Sequence, residues 1–396
     1  MTLSFEQARA CVLREVGAAR TAPDTEQVSS LDAAGRVLGE ALAADRDYPP
    51  FPRSARDGFA VRAADLPGEL RVIGEVRAGE VYSGSLGAGE AVEIMTGAPL
   101  PAGADAVVMV EHTERSGDRV RIKQTLAAGE NFNAQGVEAQ AGQIVLEPGQ
   151  RLGFAEIALL AMVGRECANV YKKPRVAVLP TGDEIVEAGV HPQTFQIRNS
   201  NAWSMAAQVR RAGGEPRILP IARDNYKSTR ALIEQGLELD LLLLSGGVSA
   251  GKYDIVERVL ADLGAEFFFD RVHIQPGQPL VFGKARGTFF FGLPGNPAST
   301  MVTFEVFARS AVELLSGAKD APLRLLQARL SKEVRHKPGL TRFLPAQLSA
   351  DGATVALEPW HGSGDVAALA RANAFLVLEP ERESWAAGDL MRVLLK

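Results

Sequence analysis

The sequence predicts a multidomain α/β plus β protein, built around a three-layer α/β domain with a mostly parallel sheet. Three observations carry this expectation. From about residue 173 to 318, short apolar runs alternate with stretches of helical periodicity. Two of those runs, Arg175–Leu179 and Leu239–Leu244, are almost wholly apolar, as strands covered on both faces are. On either side, over 45–142 and 319–396, short β-rich runs are separated by Gly and Pro, the texture of small β domains.

The elements follow in order. Ser4 and Gln7 have capping-box spacing, and Phe5, Ala8, Val12, Leu13 and Val16 recur at helical intervals. A helix is predicted there and a second over Leu31–Leu42. Pro49, Pro50 and Pro52 then break any helix. Strands are expected at Leu70–Val76, Ala91–Ile94, Ala106–Val110 and Arg119–Lys123. A helix over Phe154–Val163 is expected to pair with the N-terminal helices. Residues 1–44 and 143–172 then form a helical domain, and 45–142 is a β insertion into it. In 173–318, strands at Arg175–Pro180, Pro216–Ile221, Leu239–Leu244, Glu266–Phe269 and Thr288–Gly292 alternate with helices. Those helices are expected at Ala202–Ala212, Ser228–Gln235, Ile255–Leu263 and Ala298–Leu315. The last domain, 319–396, has strands at Leu325–Leu330, Phe343–Leu348, Thr354–Leu357, Ala374–Leu378 and Leu390–Leu394.

Composition narrows the function. The 396 residues are 46% hydrophobic and 23% charged, with a formal net charge of −5 and no basic block. Nucleic-acid binding is a poor fit. Cys11 and Cys167 make neither a disulfide framework nor a zinc cluster, and both are expected to be small buried apolar residues. Glu6, Arg9, Arg14 and Glu15 interrupt the N-terminus, which is no signal peptide. No run approaches the ~18 apolar residues of a membrane span. A reducing, cytoplasmic setting is expected. No Gly-x-Ser-x-Gly, Walker or Rossmann motif occurs, and the five histidines show no metal-ligand spacing.

Ligands of an open α/β sheet bind beyond the carboxyl ends of the strands. Two Gly-rich loops stand there, Ser245-Gly246-Gly247-Val248-Ser249 running on to Asp254, and Leu293-Pro294-Gly295-Asn296-Pro297. Glycines let backbone N–H groups converge, and a following helix adds positive potential, which makes an oxyanion site. Plain turn chemistry explains either loop alone; two on one edge favour function. The same edge collects Asp183, Glu184, Asp224 and Asp254. Acids beside an anion site repel the ligand unless a cation intervenes, and Mg²⁺ shared with phosphates resolves the conflict. The alternative is that these acids are helix caps.

These stretches, with Pro50 to Val61, Met95-Thr96-Gly97-Ala98-Pro99, Gly103 to Val108, Thr181-Gly182-Asp183-Glu184 and Asn199-Ser200-Asn201, resemble the molybdopterin molybdenumtransferase family, which includes MoeA and the gephyrin E-domain. The resemblance covers nearly the whole chain. It implies a helical domain, a β insertion, an α/β molybdopterin-binding domain and a C-terminal β barrel. It implies a homodimer whose site is shared between subunits, with Asp57 and Thr96 reaching in from the partner. The implied reaction takes adenylated molybdopterin and molybdate to molybdenum cofactor and AMP. Glu184, Asp224 and Asp254 would be catalytic and hold Mg²⁺. Ser245, Gly246, Gly247, Val248 and Ser249, with Pro294, Gly295 and Asn296, would cradle the substrate. The implied partners also include the molybdopterin adenylyltransferase and acceptor molybdoenzymes.

The sequence departs from the family pattern in places. Gln275-Pro276-Gly277-Gln278 replaces Lys-Pro-Gly-Lys, so Gln275 and Gln278 are the candidate oxyanion contacts. Lys252 stands where an acid is usual. Alternation would place Arg271, His273 and Gln275 on one face, where Arg271, His273 or Lys252 could replace the missing charge. A weakly catalytic or non-catalytic paralogue, binding molybdopterin as carrier, sensor or scaffold, is the competing reading. The adenylyltransferase step is a further one, which the extra domains oppose.

Overall fold

The computed structural model describes residues 2–19, 22–246 and 255–396. Helix α1 (Phe5–Ala19) starts at its predicted cap. The Ser4 N–H donates to Gln7 Oε1 at 3.0 Å and the Gln7 N–H to Ser4 Oγ at 3.2 Å. Its buried stripe is Phe5, Ala8, Cys11, Val12 and Val16. That stripe does not meet helix α2 (Phe154–Met162), as expected from sequence, but enters the α/β core. Phe5 sits edge-on to Phe307 and Phe343, with centroids 5.7 and 5.1 Å away. Each such pair adds about 0.5–1.5 kcal/mol beyond burial. Through Phe5, α1 ties the α/β domain to the C-terminal domain.

The second helix expected over residues 31–42 does not form. Val37 bridges Arg151 and Leu38 bridges Val170, so distant backbone takes the hydrogen bonds a helix would have used. A Cβ on Gly39 would lie 2.5 Å from Thr25 Cγ2, a close approach that fixes the extended path. Leu38, Leu42, Leu146, Leu160 and Val170 form a separate small core with α2.

The insertion is built on a six-stranded sheet, with a two-stranded sheet of Arg53–Ser54 and Phe132–Asn133 beside it in the sequence. The strands of the larger sheet are β1 (Gly58–Val61), β2 (Gly68–Val76), β3 (Glu90–Ile94), β4 (Ala106–Met109), β5 (Thr113–Ser116) and β6 (Arg119–Ile122). They lie in the order β4-β1-β3-β2-β6-β5. β1 and β3 are antiparallel with Gly58 opposite Ile94, which brings the start of one beside the end of the other.

The α/β sheet contains β7 (Arg175–Pro180), β8 (Glu215–Ile218), β9 (Leu241–Ser245), β10 (Glu266–Phe269), β11 (Val281–Ala285) and β12 (Thr288–Leu293). The order is β8-β7-β9-β12-β11-β10; the first four are parallel, β11 runs antiparallel to both its neighbours, and β10 runs in the direction of the first four. Alternate residues of β7 and β9 face opposite sides. Val176, Val178, Leu241 and Leu243 join one apolar cluster, while Ala177, Leu179, Leu242 and Leu244 join the other. The first side is covered by α1, α3 (Ser200–Ala212), α6 (Pro297–Thr303) and α7 (Arg309–Leu315); the second by α4 (Tyr226–Leu237) and α5 (Ile255–Asp262). Three layers result. A π-helical turn, Phe304–Ala308, joins α6 to α7 within the predicted Ala298–Leu315 span. Strand β11 was not expected. It pairs with β12 through Arg286 and Gly287, both at positive φ, and Arg is not the residue that marks such a turn in a sequence.

In the C-terminal domain, β13 (Leu325–Leu330), β14 (Thr341–Leu348), β15 (Thr354–Leu357), β16 (Ala374–Leu378) and β17 (Leu390–Leu395) run β14-β15-β13-β17-β16, and β14 pairs back onto β16. The barrel is closed, which removes its edges. Leu330, Leu344, Val355, Leu376 and Val393 fill it. Of the two cysteines expected to be buried, Cys11 is and Cys167 is exposed, because it points to the face of its strand opposite the buried Ala168 and Val170. No helix among the described residues is long and apolar enough to cross a membrane.

Candidate active site

Three parallel strands end side by side. Pro180 pairs with Ser245, and Ser245 with Leu293. Beyond them opens a cleft of about 390 Å³, lined by Thr181, Glu184, Asn199, Asn201, Ser245, Gly246, Pro294, Gly295 and Asn296 among others. Gly246 has φ +91°, and a Cβ there would stand 3.0 Å from the Thr181 carbonyl oxygen, so the chain can turn there only as glycine. Gly295 comes close enough that a Cβ would touch Gly246 Cα at 3.7 Å. The two Gly-rich loops therefore meet. Gly247, Val248, Ser249, Lys252 and Asp254 lie outside the described residues.

Asn201 ties the loops together. Its Nδ2 donates to Ser245 Oγ at 2.9 Å and to the Gly295 carbonyl at 2.8 Å. Its Oδ1 is buried without a hydrogen-bond partner, as is Asn199 Nδ2. A buried polar atom left unpaired costs roughly 1–3 kcal/mol. In a cleft wall, such an acceptor is a place for a ligand donor. In the sequence these asparagines stand only as part of a family motif, with no role of their own. On the other loop, Asn296 caps α6 by position and its Nδ2 donates to Ser363 Oγ at 2.9 Å. Pro294 offers its carbonyl to Thr300 Oγ1 at 2.5 Å.

The acids are distributed over two neighbouring loops. Glu184 lines the cleft. Asp224 does not, but its N–H donates to Asp183 Oδ1 at 3.1 Å, which holds its loop against that of Glu184. Arg223 fixes the same junction, with Nη1 donating to the carbonyls of Gly182, Asp183 and Ile185 at 3.3, 3.0 and 2.9 Å. This clamp was missed in the sequence, where Arg223 was only the neighbour of an acid.

Asp57 and Thr96 lie in the inserted domain and do not line the cleft. They are partners of each other. Asp57 Oδ1 accepts from the Thr96 N–H at 2.6 Å and from Thr96 Oγ1 at 2.9 Å. The β1–β3 register makes this contact, and it needs Gly58, where a Cβ would stand 1.9 Å from the Val108 carbonyl. The backbone N–H first, and the hydroxyl second, hold the Asp57 carboxyl below its ordinary value. A depressed carboxyl adds stability above its unfolded pKa and loses it as pH falls through the folded one. Thr96→Ala is expected to move the Asp57 titration up toward its ordinary value, read by NMR. An unmoved titration would show that the hydroxyl adds nothing to the backbone donor.

Gln275 and Gln278 also stand outside the cleft wall, though Pro279 reaches it. Arg271, His273 and Gln275 are exposed while Val272 and Ile274 are buried, so the three do share a face. Gln275 lies opposite Arg342 on the barrel strand β14. A larger groove of about 1060 Å³ opens at the amino ends of the sheet, near Pro174, Glu215 and Asp240. It carries none of the loop motifs, and parallel sheets bind ligands at the other end.

Comparison with known proteins gives a consistent result. Residues 3–164 match the family "MoeA N-terminal region (domain I and II)", 177–314 match "Probable molybdopterin binding domain" and 327–396 match "MoeA C-terminal region (domain IV)". A molybdopterin molybdenumtransferase of Staphylococcus epidermidis is 34% identical over 371 residues, covering 91% of this chain and 88% of its own. One of Staphylococcus aureus is 34% identical over 369 residues, with the same shares. A molybdopterin biosynthesis moeA protein of Pyrococcus horikoshii is 32% identical with TM-score 0.73, over 100% of this chain and 99% of that one. A second from that organism is 26% identical with TM-score 0.82, over the full length of both.

Proposed function

The chain belongs to the MoeA family of molybdopterin molybdenumtransferases, and from that premise we propose that its cleft takes adenylated molybdopterin and molybdate and yields molybdenum cofactor and AMP. It is a transferase of molybdenum-cofactor biosynthesis. The carrier or scaffold reading is not favoured, since the relatives named as transferases match over nine-tenths of this chain.

The observation that carries the site is the Asn201 bridge with its unpaired Oδ1. Asn201 accepts a substrate N–H or O–H there. Gly246 and Gly295, with Gly247, Val248, Ser249, Pro294 and Asn296, bring backbone to the phosphate of the pterin. Ser245 is held by Asn201 as part of the same floor. Gln275 and Gln278 supply neutral N–H donors to molybdate from the neighbouring loop.

No three His, Cys, Asp or Glu side chains among the described residues converge as a metal cage. Mg²⁺ is held by carboxylates together with substrate phosphates. Glu184 on the cleft wall, with Asp224 beside it and Asp254, would hold the ion. When bound, it supplies positive charge to the phosphates and the departing AMP. The chain's own contribution is to keep the Asp224 and Glu184 loops together through Asp183 and Arg223.

The working unit is a homodimer, with Asp57 and Thr96 completing the partner's cleft. Helix α2 supports this. Its sequence, FAEIALLAM, is almost entirely apolar, yet only Leu160 is fully buried and Phe154 is 93% exposed. Exposed apolar surface of that kind marks an interaction face. The enzyme works in the cytoplasm, which its two free thiols suit. It receives substrate from the molybdopterin adenylyltransferase and passes product to acceptor molybdoenzymes.

The test is a reconstituted assay with adenylated molybdopterin, molybdate and Mg²⁺, following AMP. Release is expected to need both the oxyanion and the cation. Equal AMP release without molybdate and in excess EDTA would overturn the reading.

A further inference from the structure

Away from the cleft, a second pocket of about 350 Å³ lies where three regions meet. It is lined by Arg36, Arg151, Lys173, Arg210, Arg211 and Arg324, and no Asp or Glu is among its lining residues. The chain as a whole carries a formal net charge of −5, so this is a strong local reversal. Two of the six have counter-charges: Arg36 pairs with Glu26, and Arg211 with Glu305 at 2.6 Å. Among the described residues, Lys173, Arg210 and Arg324 have no carboxylate within ion-pair distance.

Arg151 is fixed in place at the pocket wall. Its Nη1 donates to the Gly35 carbonyl at 2.7 Å and its Nη2 to the Ala212 carbonyl at 3.3 Å. It is half-buried, and burial is the main cause that lowers its pKa; Glu313 opposes this, and Arg324 and Arg309 add to it. The last turn of α3 explains Arg210 and Arg211, since cations suit a helix C-terminus. It does not explain Arg151, Lys173 and Arg324, which come from three other segments. Like charges that outnumber their counter-charges in a concave site repel one another, and a bound anion removes that repulsion.

We propose that this pocket is a second anion site, separate from the active-site cleft, which binds a tetrahedral oxyanion or phosphate ester. Guanidinium forks match such oxygens in pairs. The lining residues join the first domain at Gly35 and Arg151, the α/β domain at Arg210 and the entrance to the barrel at Arg324. An anion there clamps the junction of the three.

The experiment is calorimetric titration of the full-length protein with inorganic phosphate. Wild type is expected to bind saturably, more weakly as salt rises. Arg210→Ala/Arg324→Ala is expected to weaken that binding by about tenfold or more, the scale of one decade in Kd. Both side chains are exposed, so the fold is retained. Asn201→Ala, in the other cleft, is expected to leave phosphate binding unchanged. Titrations with molybdate and AMP identify the source: AMP binding that depends on Arg210 and Arg324 marks a phosphate ester, and binding of phosphate and molybdate alone marks a free oxyanion. No binding at millimolar phosphate, unchanged affinity in the double variant, or loss of binding in Asn201→Ala would each overturn the proposal.

Discussion

Glu184→Gln is expected to cut turnover by at least about tenfold, some 1.4 kcal/mol of barrier, without moving the unfolding midpoint. The substitution keeps the size of a side chain on the cleft wall and removes the charge that would hold the cation. Asp224→Asn and Asp254→Asn are expected to act in the same direction. Mixed dimers extend the test. With Glu184→Gln in one chain and Asp57→Ala in the other, a shared-site heterodimer keeps one intact site of two. Random mixing then restores about a quarter of wild-type activity. No recovery would mean that each chain builds its site alone. Wild-type turnover in Glu184→Gln would leave that acid as a loop residue only.

The second large effect is on stability. Arg309 lies buried between Glu305 and Glu313, at 3.7 Å from Glu305 Oε2 and 2.7 Å from Glu313 Oε1. Its Nη2 also donates to the Pro322 carbonyl at 2.7 Å. Glu305 further accepts from Gln208 Nε2 at 2.7 Å and pairs with Arg211. Nearby Arg9 donates to Val306 and Ser310, and its pKa is lowered to about 10 chiefly by burial, with the Arg309 charge next. Arg309→Met leaves carboxylates in a buried site with their central cation gone. The expected loss is about 3–5 kcal/mol, as for other broken buried pairs, read as a fall in the urea midpoint. Arg309→Met/Glu313→Gln is expected to recover a large part of it, because Glu305 keeps Arg211 as its partner and Arg9 loses the Arg309 repulsion together with the Glu313 attraction. A loss under about 1 kcal/mol, the scale of exposed pairs, would show that water reaches the group.

Sequence alone determined a large part of the architecture. The Ser4–Gln7 cap, the apolar strands β7 and β9 and the alternation of strand and helix are local signals, and local chemistry suffices to read them. The two Gly-rich loops were legible for the same reason: they follow strands whose parallel order puts their ends on one edge. What depended on distant partners was not legible. Residues 31–42 have helical spacing, but the carbonyls of Leu152, Gln150 and Asn169 accept the Gly35, Leu38 and Gly39 backbone N–H groups. Strand β11 turns at Arg286, where no sequence signal for positive φ exists. Asn201 looks like any polar residue in a helix's first turn until Ser245 and Gly295 arrive from 44 and 94 residues away. Arg223 and Arg309 are likewise single charges in the sequence and clamps in the structure. Covalent neighbours set propensity and pattern, while a side chain's hydrogen-bond and charge partners come from chain closure, so the sequence by itself determined which elements form, and the tertiary structure decided which residues act together.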